Sequence, residues 1–396
     1  MRRAKLHSRL AAAAAICAAL ALSALPAARA QKSKPKPPKP RQLDTQTNWH
    51  RHPSTGELEA PSTAVRGHAN ASPSRALVAR VLLVPITCAA LSENGDALPR
   101  LSPADFRVYD DGIERPIVYF HAPSDLPAEV ALVIDASPSV LPDAGAMKAA
   151  AQALAASLDP EDRIGVVDFS EHTYLQLPLS PNRALLAAAL DRVSVRSLLG
   201  DTGGSNIYRS VYLAAEKLFA DRSSRKAIVL LTDGQDSGLG LSLAPHRSPR
   251  ATGALTFDDV IQSLAARDIQ MFVVSSENRP KLLTPAWLDA HRGTSLLDRS
   301  LLRQGIPSYT LFLAELVRRT GGELYFLRDD PAMSATFRRI AQRIRSEYWL
   351  GVSPAPSSAR AAAPHPGWHA LRVEMARDSA ARVIYRPGYY VPASNP

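Results

Sequence analysis

Apolar and polar positions change texture twice along this chain. Residues 80–86 are nearly continuous aliphatics, and the polar run SENGD after them signals a turn. Short strands are predicted over 106–109 and 117–120, with DDG between them as a tight turn. At Val130 the texture shifts to apolar strand runs alternating with helical stretches. VALVID ends in an acid, an alanine-rich helix is predicted over 144–158, RIGVVDF is a strand, and a helix covers 181–193. Ile207, Val211, Ala214 and Leu218 stand at helical spacing across 207–219. KAIVLLTDG is a buried strand running into a turn, and DDVIQSLAARD then IQMFVVS gives helix and strand again. YTLFLAELVRRTGG then ELYFL repeats that pattern, and a last helix is predicted over 331–345.

Fully apolar strands alternating with helices predict an α/β fold, a Rossmann-like, doubly wound and mostly parallel sheet with helices on both faces. After Ser346 the strands YWLGV, WHALRVEM and ARVIYRPGYYV return with antiparallel alternation, split by the Pro/Ala/Ser loop 354–366. A β-rich head and tail around an α/β core are expected to meet in one small flanking β-sandwich. The division this predicts is 1–30, 31–75, a β segment over 76–127, the α/β domain over 128–345, and closing strands over 346–393. The segment 277–307 is long for a connection and is expected to be a surface insertion with some helix.

With 396 residues, 46% hydrophobic and 21% charged, the chain can bury a sizeable core. A formal charge of +10 invites a nucleic-acid reading, but its placement removes that reading. Residues 1–30 and 31–51 each carry a net +5, so the remainder is neutral and no nucleic-acid surface is expected. Residues 1–30 combine a basic start, an apolar run and Ala28-Arg29-Ala30, the order of a secretory signal cleaved near Ala30. A retained anchor is the alternative. Ile16 stands before Cys17 where a lipidation signal wants a small residue, so lipidation is not expected. Residues 31–41, QKSKPKPPKPR, form an extended polyproline-type tether in a Lys/Pro-rich disordered linker, with weak envelope contact as a second role. Localisation is therefore read as secreted or periplasmic/cell envelope, with no transmembrane segment in the mature chain. Cys88 would be its one remaining cysteine, expected to be buried and inert.

Candidate chemistry gathers at the carboxyl ends of the strands, where ligands sit in an open parallel sheet. Asp135-Ala-Ser137-Pro-Ser139 follows VALVI, Gly203-Gly204-Ser205-Asn206 precedes the helix near Ile207, and Thr232-Asp233-Gly234 follows AIVLL. Two carboxylates and several hydroxyls form an all-oxygen set, suited to a hard cation such as Mg2+ that keeps a position for an incoming carboxylate. Taken alone, D-x-S-x-S reads first as a helix N-cap, and it is the three segments together that favour the site. The three segments in this order resemble the metal-ion-dependent adhesion site of von Willebrand factor type A domains, over roughly residues 128–345. The flanking VLLVPITCAALSENGDALPRLSPADFRVYDDGIERPI and the closing YRPGYY are similar to a secreted bacterial group of such proteins, abundant in acidobacteria. The resemblance implies a Rossmann-like fold, direct metal ligation by Ser137, Ser139 and Ser205, and action largely through water by Asp135 and Asp233. Serine stands at 205 where the family usually has threonine, which loosens the rotamer. Thr202 is a rival hydroxyl, and Pro138 replaces a more usual glycine.

Asp168 in a strand is expected to have a structural polar partner, and Asp236 to be near the site or solvated. Trp368, Tyr385, Tyr389 and Tyr390 are read as core and sheet-surface aromatics. Histidines show no HExxH and cysteines no CxxC, and no nucleotide or nucleophile motif falls where its chemistry needs it. The leading reading is a non-enzymatic module that grips an acidic side chain of a protein partner through Mg2+, or Mn2+ or Ca2+. The alternatives are a scaffold with a vestigial metal site and, behind it, a metal-dependent hydrolase without an evident general base.

Overall fold

The computed structural model describes residues 36, 38–44, 50–51, 58–59, 83–93, 96–123, 126–197, 204–219, 224–237, 255–291, 295–329, 333–354, 367–377 and 381–391. The expected signal segment, Cys17 and most of the linker lie outside them. Within that expected linker, β1 (Arg41–Gln42) nevertheless pairs with the strand at Tyr174 and Leu175, and Asp44 beside it is buried. His50–Arg51 and Leu58–Glu59 pair as a two-residue ladder.

The head of the chain supplies β2 (Val84–Leu91), β3 (Phe106–Asp110), β4 (Ile113–Arg115) and β5 (Ile117–His121). Asp111 and Gly112 join β3 to β4 with φ of 49° and 82°, the left-handed pair that a two-residue hairpin turn needs. Next come β6 (Ala128–Asp135), α1 (Ala144–Ser157), β7 (Arg163–Phe169), β8 (Thr173–Ser180), α2 (Arg183–Ser197) and α3 (Ile207–Leu218). They are followed by β9 (Arg225–Thr232), α4 (Phe257–Ala266), β10 (Ile269–Ser275), α5 (Ser308–Thr320), β11 (Glu323–Phe326) and α6 (Met333–Arg345). The tail supplies β12 (Tyr348–Val352), β13 (Gly367–Met375), β14 (Arg382–Tyr385) and β15 (Gly388–Val391).

One seven-stranded sheet runs β1-β8-β7-β6-β9-β10-β11, with β7, β6, β9, β10 and β11 parallel, and with β8 antiparallel to β7 and the edge strand β1 antiparallel to β8. The α/β reading holds, and β8 is an addition to it. Its sequence TYLQLPLS carries a proline and the polar side chains of Thr173, Gln176 and Ser180, which mask its strand periodicity. β6, β9 and β10 are buried at every residue, as a sheet covered on both faces requires. Leu132 and Val229 face α1 and α6, while Val133 and Ile228 face α3 and α5. Each such side chain removed from water contributes about 1.5–3 kcal/mol. α4 is started by a reciprocal cap, in which Asp259 Oδ2 accepts from the Thr256 N–H at 2.7 Å and Thr256 Oγ1 accepts from the Asp259 N–H at 3.3 Å.

Head and tail do meet in a sandwich. Its sheets run β14-β2-β12-β5 and β15-β13-β3-β4, and Ile86, Val108, Leu350 and Val373 share one core. Cys88 lies in that core, and burial pushes its thiol far above the ordinary range. Within 277–307 lie two short helices, Pro285–Ala290 and Arg299–Leu302, and Leu283, Leu296 and Leu301 of this segment pack in one cluster with Leu311 and Phe326.

Asp268, at φ 53°, joins the two layers: its Oδ2 accepts from Thr87 Oγ1 at 2.6 Å and Trp349 Nε1 at 3.1 Å. Arg386 lies 3.4 Å from Asp268 Oδ1 and donates to the carbonyls of Ala265 and Pro85 at 2.6 and 2.5 Å. Close by, buried Glu347 accepts from Arg343 at 2.9 Å, yet burial outweighs that partner and pushes its carboxyl up to about 7.

Candidate metal centre

Asp135 is the last residue of β6 and Thr232 the last of β9, so the parallel register places both side chains at one sheet edge. Thr232 Oγ1 donates to Asp135 Oδ2 at 2.6 Å and accepts from the Gly234 N–H at 3.0 Å. Asp135 Oδ2 also accepts from Ser205 Oγ at 3.2 Å, while Oδ1 accepts from the Ser137 N–H at 3.0 Å. Ser137 and Ser139 hold their hydroxyls 3.0 Å apart, with Ser137 buried and Ser139 exposed. The cluster therefore opens to solvent on the Ser139 side.

Loop backbone fixes these positions. The N–H of Ala136 bonds to the Phe169 carbonyl at 2.7 Å, and that of Asn206 to the Ser170 carbonyl at 2.9 Å, so the end of β7 anchors both neighbouring loops. Pro138 opens a 3-10 turn over Pro138–Asp143, with its fixed φ suited to a helix start. Gly234 has φ 92°, so the turn after Asp233 favours glycine, and a Cβ there would stand 2.9 Å from the movable tip of Leu313 at Cδ1.

Electrostatically the pocket is short of positive charge. Burial pushes the Asp135 carboxyl up to about 6, against hydrogen bonds from Ser137 and Thr232 that pull it down, and the charge of Asp233 adds to the rise. Asp233 Oδ1 accepts from the Gln235 N–H at 2.9 Å, while its buried Oδ2 has no hydrogen-bond partner. An orphaned buried carboxylate oxygen beside a second buried carboxylate is what a cation in this pocket would satisfy. The donors at hand are oxygens only, which fits a hard divalent ion. Asp135, Ser137, Ser139 and Ser205 form one hydrogen-bonded set. Asp233 joins them through its field on Asp135 rather than through a direct hydrogen bond.

Residues 130–235, which hold all five of these side chains, match the family model of the von Willebrand factor type A domain. The chain carries such a domain. No curated protein matches the sequence. Among solved structures, it is similar to an aerotolerance-related membrane protein from Bacteroides fragilis, at 19% identity, 55% of this chain, 98% of that one and a TM-score of 0.38. A von Willebrand factor type A protein from Catenulispora acidiphila is similar at 13% identity, 78% and 74% coverage and a TM-score of 0.38. Proximal thread matrix protein 1 from the mussel byssus, with a zinc-occupied MIDAS motif, is similar at 16% identity, 59% and 48% coverage and 0.39.

In this von Willebrand factor type A domain three further residues support the site. Thr232 orients Asp135. Ser237 brackets the Ser205 backbone: its Oγ accepts from the Ser205 N–H at 2.9 Å and donates to the Ser205 carbonyl at 3.1 Å. Tyr309 has its hydroxyl pushed up by burial and by the charges of Glu277 and Asp233, which places all three in one neighbourhood. The motif itself contains Thr232, whereas Ser237 and Tyr309 carry no local signal and come together only through the fold. Asp236 accepts from the Ile207 N–H at 2.6 Å, a carboxylate at the start of α3, where the helix dipole favours it. Asp168 accepts from Gln176 Nε2 at 2.6 Å, and Arg192 Nε donates to Gln176 Oε1 at 3.1 Å, tying α2 to β8. Thr202 and Gly203 lie outside the described residues. No helix among the described residues is long and apolar enough to cross a membrane.

Proposed function

We propose that this chain is a binding module that engages an acidic group of a protein partner through a Mg2+-type ion at the strand-end site. Asp135, Ser137, Ser139, Ser205 and Asp233 hold that ion in this reading, with Mn2+ and Ca2+ as alternatives. The observation that carries it is the buried Asp233 Oδ2 without a hydrogen-bond partner, on a carboxylate whose charge acts on buried Asp135. When bound, such an ion offers an electrophilic position to an outside carboxylate. The protein's own part is to hold the serine hydroxyls beside Asp135, to exclude water from the buried side, and to leave the Ser139 side open. A non-enzymatic role accords with this, since the motif segments contain no histidine to act as a base. Export past the inner membrane, by a signal cleaved near Ala30, belongs to the same reading.

A scaffold role with a vestigial pocket has one observation in its favour: Asp135 is already bonded by Thr232, Ser205 and the Ser137 N–H. Thermal melting with EDTA against millimolar Mg2+ or Mn2+ separates the two. A ligand bound only by the folded chain stabilises it by about 2.7 kcal/mol at roughly a hundredfold excess over Kd. A metal-dependent rise in Tm that vanishes in Asp233→Asn supports the adhesion site. Equal melting under all conditions leaves the scaffold.

A further inference from the structure

The β-sandwich carries a second cluster of metal-ligating atoms, outside the strand-end site. Asp110 ends β3, Asp111 opens the hairpin turn, and His369 comes from β13 in the tail; their donor atoms all lie within 4.8 Å of one another. His369 Nδ1 stands 2.9 Å from Asp111 Oδ2 and 3.7 Å from Asp110 Oδ1. Asp110 and His369 have fully buried side chains, whereas that of Asp111 is 33% exposed and opens the cluster to solvent.

The neighbours of this cluster orient its donors. Tyr389 donates its hydroxyl to Asp110 Oδ2 at 3.1 Å, and the Ala370 N–H donates to Asp111 Oδ1 at 2.8 Å. Each carboxylate is thus gripped by one oxygen while the other is turned toward Nδ1. The imidazole is itself fixed by stacking on the Tyr389 ring, 4.9 Å between centroids at 14°. Ligand sets held in this way, with the outer oxygen of each carboxylate bonded, are the usual support of a metal shell. Donors around a tetrahedral ion at roughly 2.0–2.1 Å stand about 3.3 Å apart, between the two separations found here. Arg115 acts on the same neighbourhood as Asp110 and Asp111.

We propose that Asp110, Asp111 and His369 form a second metal site that takes zinc, with its remaining position open to water at the Asp111 side. One imidazole nitrogen with two carboxylates suits this borderline ion better than Mg2+ or Ca2+, which favour oxygen alone. Binding requires Nδ1 to be unprotonated, so any proton there passes to solvent. The ion clips the β3–β4 turn to β13, joining segments that the whole α/β domain separates: Asp111 and Ala370 are 259 residues apart. Closing so long a loop is where a metal clip stabilises most.

The test uses the full mature chain in the Asp233→Asn background, which silences the strand-end site, after stripping with EDTA. Zinc titrated by calorimetry is expected to bind at one ion per chain, and to raise Tm. Asp111→Asn in that background keeps the left-handed turn and the bond from Ala370, and is expected to weaken zinc binding by about tenfold or more. His369→Gln provides a second variant with the same expectation, each checked for folding by circular dichroism. An ion pair only is the overturning result: no zinc binding in Asp233→Asn, or zinc binding unchanged by both Asp111→Asn and His369→Gln. Because magnesium titration of Asp111→Asn in the otherwise native chain reads the strand-end site alone, failure of one site is distinguishable from failure of the other.

Discussion

Thr232 gives its hydroxyl hydrogen to Asp135, 2.6 Å away, across two adjacent parallel strands. The same hydroxyl accepts from the Gly234 N–H, so one side chain sets the orientation of the acid and the turn that carries Asp233. Thr232→Val preserves shape and removes both bonds. It is expected to destabilise the metal-free chain by about 1–3 kcal/mol, the cost of leaving buried groups unsatisfied. Denaturant unfolding in EDTA measures this, and a midpoint equal to that of the native chain would remove Thr232 from the site.

Gly234→Ala combines a positive φ with a methyl group 2.9 Å from Leu313 Cδ1 and 3.1 Å from Tyr309 Cδ2. The expected loss is about 1–3 kcal/mol, from backbone strain at this φ alone. Displacement of Asp233 is expected to weaken Mg2+ binding as well. Calorimetric titration with Mg2+ checks the second effect separately from the first.

The junction charges make stability depend on pH. With its carboxyl pushed up to about 7, Glu347 stabilises the fold fully below its ordinary value of 4.5, and this is lost as pH rises through about 7. Asp135, pushed up to about 6, acts in the same direction from 3.8 upward. In EDTA, Tm followed from pH 4 to 8 is therefore expected to carry a falling component. Glu347→Gln removes its share and flattens the upper part of the curve; a curve with unchanged slope would mean that Glu347 is ionised throughout.

Arg386 links three chain segments, with bonds to the carbonyls of Ala265 and Pro85 and an ion pair to Asp268. Arg386→Ala is expected to cost about 3–5 kcal/mol, because it leaves Asp268 without its counter-charge. Asp268→Asn keeps a residue that tolerates φ 53° and is expected to cost less. The ranking of the two in urea unfolding checks whether charge or backbone geometry dominates.

The strands of the α/β sheet were legible because burial on both faces turns VALVID, AIVLL and IQMFVVS into unbroken apolar runs. Asp135, Ser137, Ser139, Ser205 and Asp233 were nominated because strand ends in such a sheet are where ligands bind, and the fold draws the first four into one hydrogen-bonded set. β8 was not legible, since its proline and its polar residues interrupt the apolar pattern that marks the other strands. β1 was hidden by composition, which speaks for the average of a Lys/Pro segment and not for two residues that find a sheet edge. The Asp110–Asp111–His369 cluster could not be read at all, because sequence separation conceals a pairing that only the sandwich creates.

Because its sheets draw strands from before and after the α/β domain, the sandwich cannot assemble until nearly the whole chain has been synthesised. The segment 83–121 leaves the ribosome long before β12, β13, β14 and β15 exist, with β2 exposing apolar residues on a strand that later takes a partner on each side. The α/β domain, whose strands and helices all lie before Ser346, can fold in the meantime and bring residues 128 and 345 into position. A chain stopped after Arg345 is therefore expected to aggregate through that unpaired head, while one stopped after Val391 does not.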